Sequence, residues 1–161
     1  MPIRDILAIL EQNARATAED ISEMTGHTVE DVREVVAQAE RDRTIVKYKA
    51  VIHWDRVGEE EVTALAELRV TPQRDVGFDS IARRIAQFPE VQSLRLMSGD
   101  YDLSVLLVGR TMQEVASFVA MKLAALEEVH STTTHFLLKR FKEDGVILDG
   151  EDGAKRLPLS P

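Results

Sequence analysis

Ser98-Gly99-Asp100-Tyr101-Asp102-Leu103 decides the fold. This polar run with one glycine lies between Val91-Gln92-Ser93-Leu94-Arg95-Leu96-Met97 and Leu103-Ser104-Val105-Leu106-Leu107-Val108. Two short apolar runs joined by a Gly-containing turn predict a β-hairpin. Outward from it, helical patterns flank both sides. Asp79-Ser80 is expected to cap a helix carrying Ile81, Ala82, Ile85 and Phe88, which Pro89 stops. Thr111 is expected to cap a longer helix carrying Met112, Val115, Phe118, Val119, Leu123 and Leu126. Beyond the helices lie two more strand-like runs. Glu61 to Val70 alternates, with Val62, Ala64, Ala66, Leu68 and Val70 on one face and Thr63, Leu65, Glu67 and Arg69 on the other. Thr71-Pro72 ends it, since proline cannot donate to the ladder. The last run extends from about Val129 to Phe141, where Thr132, Thr133 and Thr134 favour an extended chain. The order β-α-β-β-α-β is the split βαβ, ferredoxin-like unit. Two helices on one side of its sheet leave the other side uncovered, with Leu65 and Leu106 on it. An uncovered apolar patch is an interaction surface, and a second copy in a two-fold dimer is its expected cover.

The first third has helical periodicity. Ile3, Ile6, Leu7 and Leu10 line one face of a first helix that ends near Asn13-Ala14-Arg15. Thr17-Ala18-Glu19-Asp20 is a capping-box variant, and Ala18, Ile21 and Met24 form the stripe of a second helix closed by Gly26. Thr28 repeats the cap, and Val29, Val32, Val35, Val36 and Ala39 carry a third helix to about Arg41. Helices two and three across a tight Gly turn form a helix-turn-helix, with the third placed for the major groove. Thr44 to Ile52 is β-rich and predicts a wing strand running into a linker strand. The fold class is therefore α+β: a winged helix-turn-helix over residues 1–46, a linker strand and hinge over 47–60, the βαββαβ domain over 61–148 and a loose Gly-rich charged tail over 149–161.

On this reading the residues placed for DNA are Thr28, Arg33, Arg41, Arg43 and Lys47. Against them stand Glu30, Asp31, Glu34 and Glu40 and a formal net charge of -8. Phosphate neutralisation drives DNA affinity, so this charge argues for a local basic face rather than a basic chain. A plainer reading leaves the helical hairpin as a protein contact.

Other chemistries find little support. No apolar run approaches the roughly 20 residues that span a bilayer, and the start, Met1-Pro2-Ile3-Arg4-Asp5, lacks a secretory pattern. With no cysteine, disulfides and thiolate chemistry are excluded, and a reducing cytoplasm is the expected compartment. His27, His53, His130 and His135 have no metal-ligand spacing, and His130 and His135, five apart on a strand, point to opposite faces. There is no phosphate loop and no GxSxG. Asp100 and Asp102 on a wet hairpin edge are poorly placed for acid–base work. No enzyme activity, metal or cofactor is expected.

A helix-turn-helix, a linker strand, then βαββαβ with a Gly-Asp-Tyr-Asp hairpin resembles the Lrp/AsnC family of leucine-responsive and feast/famine transcription regulators. The resemblance runs from about Ile3 to Val146. Ile45-Val46-Lys47-Tyr48-Lys49-Ala50-Val51 is similar to the family's segment after the recognition helix. Phe88-Pro89-Glu90-Val91, Ser98 to Leu103 and Thr134 match further landmarks. The resemblance implies a RAM-type ligand-sensing, oligomerising domain (RAM being the family's C-terminal domain). It also implies double-stranded DNA as a partner and dimers that often assemble into octamers. An amino acid or similar small metabolite would bind near the hairpin. Carried onto this chain, the effector residues are Gly99, Asp100, Tyr101 and Asp102, with Thr132 and Thr134 nearby. Independently, a zwitterion needs carboxylates or carbonyls for its ammonium and N–H or hydroxyl donors for its carboxylate. Turn chemistry alone also explains Gly99 and Asp100. The recognition helix departs from the family in carrying Glu30, Asp31 and Glu34 where members usually carry Ser, Thr and Arg. The alternative function is a ligand-binding or assembly protein of the same fold with weak or no DNA binding.

Overall fold

The computed structural model describes residues 2–58 and 61–148. The chain divides after Ile52 into two compact units. The tail expected over 149–161, and Glu59 and Glu60 of the linker, lie outside the described residues.

The first unit packs three helices, α1 (Pro2–Gln12), α2 (Ala18–Thr25) and α3 (Val29–Arg41). Their stripes meet in a small core of Ile6, Ile21 and Val32, with Ile9, Leu10, Val35 and Val36 packed around it. The caps set the boundaries. Thr17 Oγ1 accepts from Asp20 N at 3.1 Å while Thr17 N donates to Asp20 Oδ2 at 2.9 Å, a complete capping box. Gly26, at φ 74°, ends α2 and donates to Ser22 O at 2.8 Å, a left-handed position that glycine takes without steric cost.

The expected wing strand does not form. Residues 46–53 carry neither helix nor strand hydrogen bonding. A β-prone run becomes a strand only where another strand offers a ladder, and the described residues of this unit contain no strand. The segment is fixed at its start instead, where Ile45 N donates to Ala39 O at 2.9 Å, and at Tyr48, whose hydroxyl donates to Glu40 Oε1 at 2.9 Å.

The second unit is ferredoxin-like. Its elements run β1 (Val62–Val70), α4 (Asp79–Ile85), β2 (Val91–Leu96), β3 (Leu103–Gly109), α5 (Met112–Phe118) and β4 (Val129–Phe136). The antiparallel sheet has the order β2-β3-β1-β4. Ala64, Ala66, Leu68, Leu103, Val105 and Leu107 are buried against Ile81, Ile85, Val115, Phe118 and Leu123 of the helical layer. Phe88 and Phe118 meet edge-to-face at 5.3 Å, a favoured aromatic geometry.

Three details differ from expectation. Phe78 precedes α4 without a side-chain cap and Asp79 is its first helical residue; there a carboxylate favours the helix N-terminus through the dipole rather than as a cap. The helix after Thr111 passes into a π-helical turn, Val119–Leu123, before Leu126, which still brings Val119 and Leu123 onto the core. The last strand stops at Phe136, not Phe141. After Leu137 N donates to Thr63 O, the chain leaves the sheet and makes a small exposed hairpin, β5 (Lys142–Glu143) and β6 (Val146–Ile147). His53 Nε2 donates to Leu148 O at 3.0 Å and ties its end to the start of the unit.

On the sheet face away from the helices, register places Leu65 between Leu106 and His135, and Glu67 between Ser104 and Thr133. Leu65 and Leu106 are half-buried rather than bare. One end of this face is shielded by the chain itself, where Arg140 Nη2 donates to Thr63 Oγ1 at 2.6 Å and Thr63 is buried. His135 Nε2 lies 3.3 Å from Glu67 Oε2.

Candidate DNA interface and effector hairpin

In the first unit, the outward face of α3 presents Glu30, Arg33, Glu34, Gln38 and Arg41, all exposed. The residues placed for DNA fall at different points along it. Thr28 is the N-cap of α3, and its Oγ1 accepts from Asp31 N at 3.1 Å, so one of its lone pairs serves the helix. Arg33 Nη2 donates to Glu19 Oε1 of α2 at 2.5 Å. Arg41 Nη2 donates to Gln38 Oε1 at 2.8 Å. Arg43 follows in a left-handed conformation, φ 61°, and it and Lys47 are exposed. At about 1.5 Å per residue, the 13 residues of α3 hold the Thr28 end roughly 20 Å from Arg41. Arg41, Arg43 and Lys47 thus lie at the C-terminal end of α3, interleaved with the exposed carboxylates Glu40 and Asp42, while Glu30, Asp31 and Glu34 occupy its first half.

The titration of Asp20 and Tyr48 reports local structure. Asp20 is held below the usual carboxylate range, first by the backbone N–H of Thr17 and then by its hydroxyl. The Tyr48 phenol is pushed up, first by partial desolvation against the helices and then by its bond to Glu40, although the residue as a whole stays exposed. Sequence reasoning missed this Tyr48–Glu40 contact because it depends on where an irregular segment lies.

In the second unit, the hairpin loop joins β2 to β3. Met97 N donates to Asp102 O at 2.8 Å and closes it. Gly99 has φ 141°, a backbone region essentially reserved for glycine. Gly99 and Asp100 are exposed, and Tyr101 and Asp102 half-buried. Asp102 bonds the loop to β1 twice: its N donates to Leu68 O at 2.9 Å, and its Oδ2 accepts from Val70 N at 2.8 Å. One oxygen of the most strongly placed hairpin carboxylate is therefore spent on the fold, which leaves Asp100 as the exposed one. Thr132 and Thr134 pair with Leu68 and Ala66, so both belong to the helix-covered face. Asp102 and Thr132 flank Leu68 on opposite sides of β1, two strand spacings or about 10 Å apart. The fold brings the hairpin and Thr132 to the same end of the sheet without placing them in contact across the intervening strand.

The same end carries a cluster that sequence reasoning did not single out. Glu128 Oε1 accepts from Gln73 Nε2 at 2.9 Å and Arg84 Nη1 at 2.7 Å, and Thr71 Oγ1 meets His130 Nε2. These bonds tie the β1–α4 connection to the start of β4. No signal in the spacing marks them. Among the described residues no group of three or more His, Asp or Glu side chains is placed to hold a metal, and no helix is long and apolar enough to cross a membrane.

The Lrp/AsnC ligand-binding domain matches residues 63–147, the whole sheet unit from β1 to β6. The chain belongs to the Lrp/AsnC family. Along its full length it is similar to the HTH-type transcriptional regulator YugG of Bacillus subtilis, 48% identical over 158 residues, covering 98% of this chain and 95% of that protein. It is also similar to the leucine-responsive regulatory protein of Rhizobium meliloti, 25% identical over 138 residues, covering 86% and 88%. Among solved structures, the leucine response regulatory protein of Mycobacterium tuberculosis superposes with a TM-score of 0.71 at 20% identity, covering 92% of this chain and 98% of that one. A transcriptional regulator of Neisseria meningitidis in complex with L-Met gives 0.69 at 22%, covering 88% and 91%. At these identities the structures establish the fold. The Lrp/AsnC relatives with matching full-length organisation make this chain an HTH-type transcriptional regulator.

Proposed function

We propose that this Lrp/AsnC regulator reads double-stranded DNA with the end of α3 and the segment after it, and that its sheet unit senses a small amino-acid-like effector. Arg41, Arg43 and Lys47 hold the phosphate backbone, Arg33 reaches the groove, and Thr28 sets the start of the recognition helix. The observation that carries this is the grouping of exposed cations at the C-terminal end of a properly capped α3. Phosphate contacts position a reader and base contacts specify it.

The effector reading places the ammonium of a zwitterion at Asp100. The N–H groups of the Gly99–Tyr101 turn and the hydroxyls of Thr132 and Thr134 supply donors for its carboxylate, and Asp102 holds the loop in shape. The two threonines lie across β1 from the loop, so a small ligand reaches both sets only where a second copy brings its own. This agrees with self-association into a two-fold dimer and, through further contacts, an octamer. The Neisseria regulator solved with L-Met is a relative in fold with such a ligand. Effector control then requires different ligand affinities in different arrangements of the oligomer. The cytoplasm, where the DNA is, is the place of action.

A second reading has one observation in its favour. Residues 2–52 carry seven Lys and Arg against ten Asp and Glu, and Glu30, Asp31 and Glu34 are exposed on the recognition helix. On that reading the protein binds ligand or assembles and reads DNA weakly. A titration on the protein's own promoter fragment at several salt concentrations separates the two. The DNA reading expects a steep loss of affinity with salt and a change in affinity or oligomer mass with at least one amino acid of a panel. Flat salt dependence removes the phosphate contacts, and indifference to every amino acid removes the sensing half.

A further inference from the structure

Arg33 sits in the middle of the exposed face of α3, yet its guanidinium is turned sideways. Its Nη2 donates to Glu19 Oε1 at 2.5 Å, and the two side chains remain 61% and 58% exposed. Glu19 lies in the first turn of α2, so the pair bridges the two helices of the helix-turn-helix. An exposed pair of this kind is weak. A guanidinium makes paired, directional bonds to phosphate as readily as to carboxylate. Glu19 therefore occupies the arginine without holding it irreversibly, and when Arg33 leaves for DNA an uncompensated carboxylate stays beside the polyanion.

We infer that Glu19 is an intramolecular competitor for Arg33 that sets the affinity of the reader for DNA. The inference rests on the reading of Arg33 as a DNA contact. It assigns a role to a residue of α2 that touches no DNA itself. In the free protein Glu19 neutralises Arg33, and on the operator the arginine leaves the carboxylate for DNA. Each binding event therefore pays for the broken pair. The neighbouring Glu23, also exposed on α2 but one turn on, makes no such pair among the described residues and serves as the control for simple charge repulsion.

The test is a double-mutant cycle on the full chain, which reports coupling between neighbouring residues, with binding to the promoter fragment as readout. Glu19→Gln is expected to tighten binding about two- to fivefold, the scale of an exposed ion pair, and Glu19→Ala to do the same. Glu23→Gln gives less. In the Glu19→Gln background Arg33→Ala reverses the gain, and in the Arg33→Ala background Glu19→Gln gives no more than Glu23→Gln. An equal gain from Glu19→Gln with and without Arg33 overturns the competition and leaves only general repulsion. No gain from Glu19→Gln or Glu19→Ala, with Arg33→Ala still weakening binding, overturns the competition and keeps Arg33 on DNA. If Arg33→Ala changes nothing in either background, the placement of Arg33 on DNA is what fails.

Discussion

Asp102→Ala is expected to lower the melting temperature of the sheet unit, not only to weaken ligand binding. As part of a Gly-Asp-Tyr-Asp hairpin Asp102 reads as an effector ligand, and its loss would be felt as lost sensing. In the fold its Oδ2 accepts from the N–H of Val70, a residue 5% exposed, at 2.8 Å. That N–H lies where β1 shifts register against β4 between Arg69 and Val70, so the ladder is interrupted there. Asp102→Ala removes the acceptor and leaves a buried donor unsatisfied, at a cost of about 1–3 kcal/mol. For a unit of this size each kcal/mol moves Tm by roughly 4–8 °C, so a central loss of about 2 kcal/mol lowers the melting temperature of the sheet unit by on the order of 10 °C. Asp102→Asn keeps an oxygen in place of Oδ2 and removes the charge. It is expected to retain most of that stability, because a neutral bond of good geometry replaces a charge-assisted one. Thermal melts of the wild type and the two variants decide. If alanine melts with the wild type, the bond to Val70 carries no weight. If asparagine falls as far as alanine, the negative charge matters rather than the acceptor, and the structural assignment of Asp102 is wrong.

Other outcomes follow from the same geometry. A Cβ built on Gly109 meets Cγ2 of Val115 at 2.8 Å, and Val115 is 3% exposed in the core, so Gly109→Ala should cost about 1–3 kcal/mol by overpacking, seen as a lower denaturant midpoint. Asp100→Asn should leave Tm unchanged while weakening calorimetric binding of whichever amino acid the protein recognises, and unaltered binding would move the ammonium site elsewhere. The Asp20 carboxyl is lowered in the folded state, so its contribution is present above the ordinary carboxylate range and is lost as pH falls through its folded value. Helical circular dichroism melts from pH 6 to pH 3 should therefore show a shallower acid loss in Asp20→Asn than in the wild type. Arg43→Ala should weaken binding to operator and unrelated duplex alike and reduce the salt slope by about one, a change that a base contact would not produce.

Much of the fold was legible because its signals are local. The Thr17–Asp20 and Thr28–Asp31 spacings define helix starts through bonds made within four residues. Gly26 ends a helix by its own backbone freedom. The alternation of Val62 to Val70 predicted Ala64, Ala66, Leu68 and Val70, which are buried on β1, since a strand covered on one face needs period two; Thr63, on the other face, is buried as well because it lies under Arg140, which no local pattern foretells. Thr44 to Ile52 departs from its β pattern for the complementary reason. Its β propensity is real, but a strand is defined by a partner, and propensity does not say where the partner is. Val46, Tyr48, Val51 and Ile52 remain exposed with apolar surface. Phe141 similarly continues an apolar pattern past the point where Leu137 makes the last bond to β1 and the chain departs.

The candidate site was less legible than the fold, because the residue types that bind also build. Asp102, Thr28 and Arg33 each carry a charge or hydroxyl suited to a ligand, and each is engaged within the chain, with Val70 N, Asp31 N and Glu19 respectively. These three contacts differ in what a ligand must overcome. The Asp102 bond holds a half-buried carboxylate on a buried strand, so a ligand would have to replace a bond that the sheet needs. The Thr28 bond uses one lone pair of a hydroxyl and leaves its proton free to donate to a phosphate oxygen. The Arg33 pair is exposed and exchanges at little cost. The order of availability is therefore Arg33, then Thr28, then Asp102. A hydroxyl or guanidinium at the rim of a capped helix can serve both the fold and a partner, whereas a carboxylate built into the interruption of a ladder serves the partner only by keeping the loop that carries Asp100 in place.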